Sequence, residues 1–236
     1  MEDNNILQIK DQEDFECCEG MFGENITKII FENNNIDVFD GICLPDSIKE
    51  FIYINNNTSR IKNLKEGMIK IVINDTEITK LKLPSSVIKA NINSNFELTK
   101  LTCGNNLQEL DMTMTGLDDI DNLPDTIEIL KCNSCTIPII NKLPKNLKIF
   151  HARNTEIEEI NCIFPDSLID LDLIENNDLT VCPPINESII RLVMPVRKKS
   201  IMKDIIMRNI VRNSDNETRK KNNLIRIMNS DKTYNL

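Results

Sequence analysis

The chain has 236 residues, 40% of them hydrophobic and 28% charged, with aromatics at 4% and no tryptophan. That composition can build one large domain or two small ones on aliphatic packing, whereas one histidine, six glycines and neither G-x-x-x-x-G-K nor G-x-G-x-x-G leave little for a nucleotide-binding loop. The net charge of −9 is uneven: residues 1–195 hold 17 Lys/Arg against 33 Asp/Glu, and residues 196–236 hold 11 against 4, so a body of −16 carries a tail of +7.

Residues 1–25 are acidic and lack the basic-then-apolar order of a secretory signal. No run of about 18 apolar residues reads as a membrane-spanning helix. The eight cysteines are spread from Cys17 to Cys182 rather than packed into a short framework, so reduced thiols in a cytoplasm are expected. Residues 1–25 are expected to form an irregular acidic N-terminal cap; Cys17 and Cys18 within them receive no role.

From residue 26 to 195 one phrase recurs. It reads LPDSI at 44–48, LPSSV at 83–87, LPDTI at 123–127, LPKNL at 143–147 and FPDSL at 164–168. With the last apolar residue of the phrase as position 1, repeats start at Ile26, Ile48, Met68, Val87, Leu107, Ile127, Leu147, Leu168 and Ile189, in steps of 19 to 22 residues. Position 4 is apolar throughout, as in Leu110, Leu130, Phe150 and Leu171. Position 6 is apolar as well, and position 9 holds Asn, Thr or Cys. Thr58 breaks the apolar position 11 of the second repeat, and one-residue insertions move Leu98 and Leu179 to position 12. Positions 4 and 6 alternate as in a strand whose one face is buried, which turns positions 3, 5 and 7 outward. Neighbouring copies cover each other's apolar faces, because no copy is stable by itself. The position-9 side chains are expected to satisfy buried turn amides and carbonyls. Proline lacks an amide donor and disfavours helix before it, so the return path is expected to be extended or 3₁₀.

The spacing resembles the leucine-rich repeat, L-x-x-L-x-L-x-x-N/C-x-L, and its short period with Leu-Pro punctuation looks most like the bacterial-effector subtype. The resemblance implies an α/β leucine-rich repeat solenoid of eight to nine repeats over 26–195, with a curved parallel sheet on the concave face and an extended or 3₁₀ convex side. It also implies a protein partner held on that concave sheet. Proteins of this flavour resemble those of pathogens, large DNA viruses included, and richness in Asn, Ile and Lys fits an AT-rich genome.

Cys132 and Cys135 stand in a C-x-x-C spacing, but they occupy positions 6 and 9 of the sixth repeat, where every other copy is buried. They read as a small core hydrophobe and a ladder residue. No second C-x-x-C completes a four-ligand zinc site, so no metal and no cofactor are expected. Cys43, Cys103, Cys162 and Cys182 fall on return segments and read as packing groups too.

The expected partner surface consists of outward residues Asn91, Glu109, Asp111, Ile129, Lys131, Ile149, His151, Arg153, Asp172 and Ile174. Asp111, Lys131, His151 and Asp172 form a polar row beside exposed Ile129, Ile149 and Ile174, an apolar patch rimmed by charge. The bland alternative is that Asp111–Lys131 and His151–Asp172 are merely solvated neighbours. A His151–Asp172 pair has no Ser or Cys nucleophile facing it, so no catalytic residue and no small-molecule substrate are expected. The function implied is a non-enzymatic interaction scaffold; a structural component of a larger particle and an adaptor acting through its tail are the alternatives.

The tail, 196–236, begins with RKKSIMKDIIMRNIVRN at 197–213, placing Ile201, Ile205, Ile206 and Ile210 at helical spacing. A second short helix is read over 217–229. This basic helical segment is expected either to cap the array or to dock on membrane or nucleic acid. The −16 body argues against nucleic acid on the sheet itself.

Overall fold

The computed structural model describes residues 5–10, 25–32, 44–56, 58–61 and 64–195. The chain divides into two compact units, 1–117 and 118–236. In the first, eight strands follow one another among the described residues: β1 (Ile6–Ile9), β2 (Lys28–Glu32), β3 (Glu50–Ile54), β4 (Lys70–Asn74), β5 (Lys80–Lys82), β6 (Lys89–Asn91), β7 (Lys100–Thr102) and β8 (Glu109–Asp111). The order β1-β2-β3-β4-β6-β8 makes one parallel sheet, and β5 pairs with β7 in a second. The second unit has β9 (Ile129–Lys131), β10 (Ile139–Ile140), β11 (Ile149–His151), β12 (Glu159–Ile160), β13 (Asp170–Asp172) and β14 (Arg191–Val193). Here β9-β11-β13-β14 form the main parallel sheet and β10 pairs with β12. Each unit is a parallel β-solenoid, one main-sheet strand per turn.

The register follows the repeat. Ile29, Phe51, Ile71, Ala90 and Leu110 pair in sequence across unit 1, and Leu130, Phe150, Leu171 and Leu192 across unit 2. These are the position-4 residues, buried in every case except Leu192, on the last strand. The alternation buries Phe31, Tyr53 and Ile73 two residues further on. Scarce as aromatics are, Phe31, Phe51 and Tyr53 gather with ring centroids 5.9 to 6.1 Å apart.

The recurring phrase is a turn. In the five Pro-containing copies the proline carbonyl accepts the amide three residues on, from Ile48, Val87, Ile127, Leu147 and Leu168. Proline at the first corner is harmless because that corner needs only a carbonyl. Lys65, Gly104 and Asn186 accept the same bond in copies without proline.

The insertions in the fourth and eighth repeats are absorbed in matching turns, with the Leu98 amide donating to the Asn95 carbonyl and the Leu179 amide to that of Asn176. Both leucines return to the core. Gly116 lies against the first of these turns, where an added Cβ would collide with the Phe96 carbonyl oxygen. Thr58 is buried and tolerated because its hydroxyl bonds to Arg60, donating to the carbonyl at 2.9 Å.

The return path is extended, one of the two forms expected, and carries short strand pairs among the described residues. Two expectations are amended. Within the segment expected to be an irregular cap, Ile6–Ile9 form β1, in register with β2. The described residues hold strands and turns and no helix, so the α component of the α/β expectation falls on the tail, 196–236, which lies outside them. Cys17, Cys18 and Cys43 lie outside them too.

Candidate functional site on the outward sheet face

Positions 8 and 9 determine how each turn leaves its strand. Asn55, Asp75, Ser94, Met114, Ser134, Asn154 and Glu175 all stand at position 8 with φ between 50° and 67°. This left-handed kink is tolerated best by Asn and Asp, and it points the position-9 side chain inward. Asn95 accepts the Thr76 amide at 3.0 Å and donates to the carbonyls of Ile73 and Ile92 at 2.6 and 2.7 Å. Asn176 accepts the amides of Thr155 and Ile157, both at 3.0 Å, and donates to the carbonyls of Ala152 and Leu173 at 2.7 and 2.9 Å. Cys135 fills the same slot with a thiol 3.9 Å from the Asn133 carbonyl. Cys132 and Cys135 are both buried, as expected. Cys103, Cys162 and Cys182 are only partly buried, yet burial pushes the Cys103 and Cys182 thiols up to about 12.

With the strands held this way, positions 3, 5 and 7 face outward. In unit 1 much of that face is occupied by internal bonds. Glu50 lies between Lys28 and Lys70 at 3.6 and 3.5 Å, and Glu109 pairs with Lys89 at 2.8 Å. The side chains of Asn91 and Asp111 each accept the amide two residues on, at 3.2 Å. Asn91, Glu109 and Asp111 thus serve the strand ends and cross-strand pairing, a role sequence reasoning missed. An Asx residue two positions before a turn was the available signal. A hollow of about 270 Å³ elsewhere in unit 1 is lined by turn residues such as Asn55, Asp75 and Ser94, with Phe96 beside them.

Unit 2 differs. Ile149, Asp170 and Arg191 align as one row, and Lys131, His151, Asp172 and Val193 as the next. Arg153 follows β11, its amide donating to Asn133 Oδ1 at 2.9 Å. Asp172 Oδ2 accepts Arg153 Nε at 2.8 Å and Nη2 at 2.6 Å, and Arg191 Nη2 at 2.8 Å. Its other oxygen accepts the Ile174 amide at 3.3 Å. Arg191 Nη1 reaches Asp170 Oδ1 at 2.6 Å, and His151 Nε2 stands 3.2 Å from that same oxygen.

Three readings are corrected here. Asp172 is not a solvated neighbour: its exposure is 0%, although its position faces outward, because two guanidinium groups cover it. His151 faces Asp170 across the diagonal, not Asp172. Ile129, Ile149 and Ile174 are half-buried rather than fully exposed. Burial alone would raise the Asp172 carboxyl, but the hydrogen bonds from Arg153, Arg191 and the Ile174 amide outweigh it and hold the group below its ordinary value. Burial opposes the charge on Arg191 too, and the two aspartates more than compensate, raising it.

No protein-family model and no curated protein matches the chain. Among solved structures it is similar to YopM from Yersinia enterocolitica WA-314, with a TM-score of 0.51 and 18% identity, over 73% of this chain and 42% of that one. The fold is leucine-rich-repeat-like. At this identity the likeness is one of fold, and the chain spans less than half the length of that protein.

Proposed function

We propose that this protein is a non-enzymatic interaction scaffold that holds a protein partner on the outward, concave face of its main sheet. The supporting observation is the cluster on β11, β13 and β14. Taking a carboxylate out of water under two arginines costs desolvation that an apolar side chain would avoid. Position 5 elsewhere is filled by Ile52 and Val72 with no such cost. What the arrangement gains is two planar donor groups held in fixed orientation, beside the half-buried Ile129, Ile149 and Ile174. Arginine beside apolar anchors is the composition of interface hot spots. On this reading the chain is of the short-repeat, effector-like subtype and works in a cytoplasm, with its cysteines as packing groups.

The test is capture from cells of the source organism with tagged full-length chain, comparing wild type with Ile149→Glu and His151→Ala. Partner recovery should drop at least tenfold for Ile149→Glu with an unchanged circular dichroism spectrum; equal recovery by wild type and Ile149→Glu refutes the reading. A second reading, a building block of a larger particle, has its own support in Ile163, 82% exposed on the return side, with Ile139 at 45%. It predicts that Ile163→Glu, not Ile149→Glu, disrupts assembly.

A further inference from the structure

We propose that the partner is anchored on this face through a carboxylate, from an aspartate or glutamate flanked by apolar residues, received by the free end of the Arg153 guanidinium. The proposal rests on the reading of β11, β13 and β14 as a docking face. Arg153 gives Nε and Nη2 to a single oxygen of Asp172. That uses one edge of the fork and fixes its plane. Nη1 is left unbonded within the described residues, together with the second hydrogen of Nη2, and 49% of the side-chain surface remains exposed. The Nη1–Nη2 edge is a two-donor fork matched to the two oxygens of a carboxylate. Because Asp172 already immobilises the group, little side-chain entropy is left to lose on binding.

The charge balance points the same way. The outward rows of unit 2 carry Lys131, Arg153 and Arg191 against Asp170 and Asp172, a local +1 before any proton on His151. An incoming cation would meet two aspartates already engaged by arginine, whereas an anion meets an unfilled fork. The body as a whole, at −16 over residues 1–195, repels a densely charged polyanion at long range but tolerates one short-range carboxylate. Ile174, at the same outward position of the next turn, and Ile149, at the start of β11, put half-buried apolar surface on the same sheet face and favour apolar neighbours around that carboxylate.

The probes are acetyl-Ile-Glu-Ile-amide, its Gln counterpart and its Lys counterpart, titrated into full-length ¹⁵N-labelled protein. The readouts are the Arg153 Nε–Hε signal and the Ile174 amide. The Glu peptide should shift both saturably, with an apparent Kd at least tenfold below that of the Gln or Lys peptide, and Arg153→Gln should abolish the difference. If Arg153→Gln loses structure, the pair Arg153→Gln/Asp172→Asn, which removes the buried charge along with its partner, serves in its place. Equal shifts by the Glu and Gln peptides overturn the carboxylate anchor and leave the docking face standing. No shift from any peptide, together with partner capture indifferent to Ile149→Glu, overturns both.

Discussion

Asn95 and Asn176 test how the turns are held, one in each unit. Replacing Asn176 with Ala removes two bonds accepted from buried amides and two donated to buried carbonyls. At about 1 kcal/mol net per bond the loss is about 4 kcal/mol, and it exceeds that if no water enters to satisfy the stranded groups. Asn95→Ala strips the Thr76 amide, the Thr76 hydroxyl and the carbonyls of Ile73 and Ile92 of their partner, so the same magnitude is expected. In a stacked array such a loss can unfold neighbouring turns before the rest. The assay is therefore urea unfolding followed by circular dichroism, combined with hydrogen exchange of the Thr155 and Ile157 amides in Asn176→Ala. A midpoint shift worth less than about 1 kcal/mol, with protection of those two amides unchanged, refutes the ladder account.

Met114 sits in the left-handed region with a side chain 40% exposed, so Met114→Asn should stabilise by about 0.5–1 kcal/mol by relieving backbone strain; a lowered Tm contradicts this. Asp172 contributes stability above its unfolded pKa, near 3.9, and that contribution is lost as pH falls through its depressed folded value. Asp172→Asn should therefore flatten the acid limb of a stability–pH curve below about pH 4, and an identical limb in the two chains rejects the assignment. With its thiol pushed up to about 12, Cys103 should react with iodoacetamide at pH 8 about a thousandfold slower in native than in urea-unfolded protein. Peptide mass mapping reads the rate, and native alkylation as fast as unfolded removes the burial argument.

The architecture was legible because its signals repeat. An apolar residue, proline and a second apolar residue three positions on mark a turn in five copies, positions 4 and 6 mark the buried side of a strand, and the position-9 slot of Asn, Thr and Cys marks the ladder. The left-handed position 8 was not read. Asn55, Asp75 and Asn154 suit it, but Met114 and Glu175 do not, and mixed identities hide a backbone requirement that the neighbouring turns impose.

The site was legible only in part. Alternation placed His151, Arg153 and Asp172 on the outward side together. It could not show that Arg153 and Arg191 cover Asp172, because a long side chain selects its rotamer from charges on adjacent strands rather than from its own repeat. For the same reason the diagonal His151–Asp170 approach was mistaken for a same-row pair. Asp170 and Arg191, absent from the expected partner surface, turned out to complete the cluster.

The most direct test of the docking face uses a photo-crosslinking amino acid placed in turn at Ile149, on the outward side of β11, and at Ile163, on the return side. If the outward face holds the partner, irradiation in native cells yields one discrete adduct from Ile149 and none of that mass from Ile163. The same adduct arising from Ile163 and not from Ile149 contradicts the account.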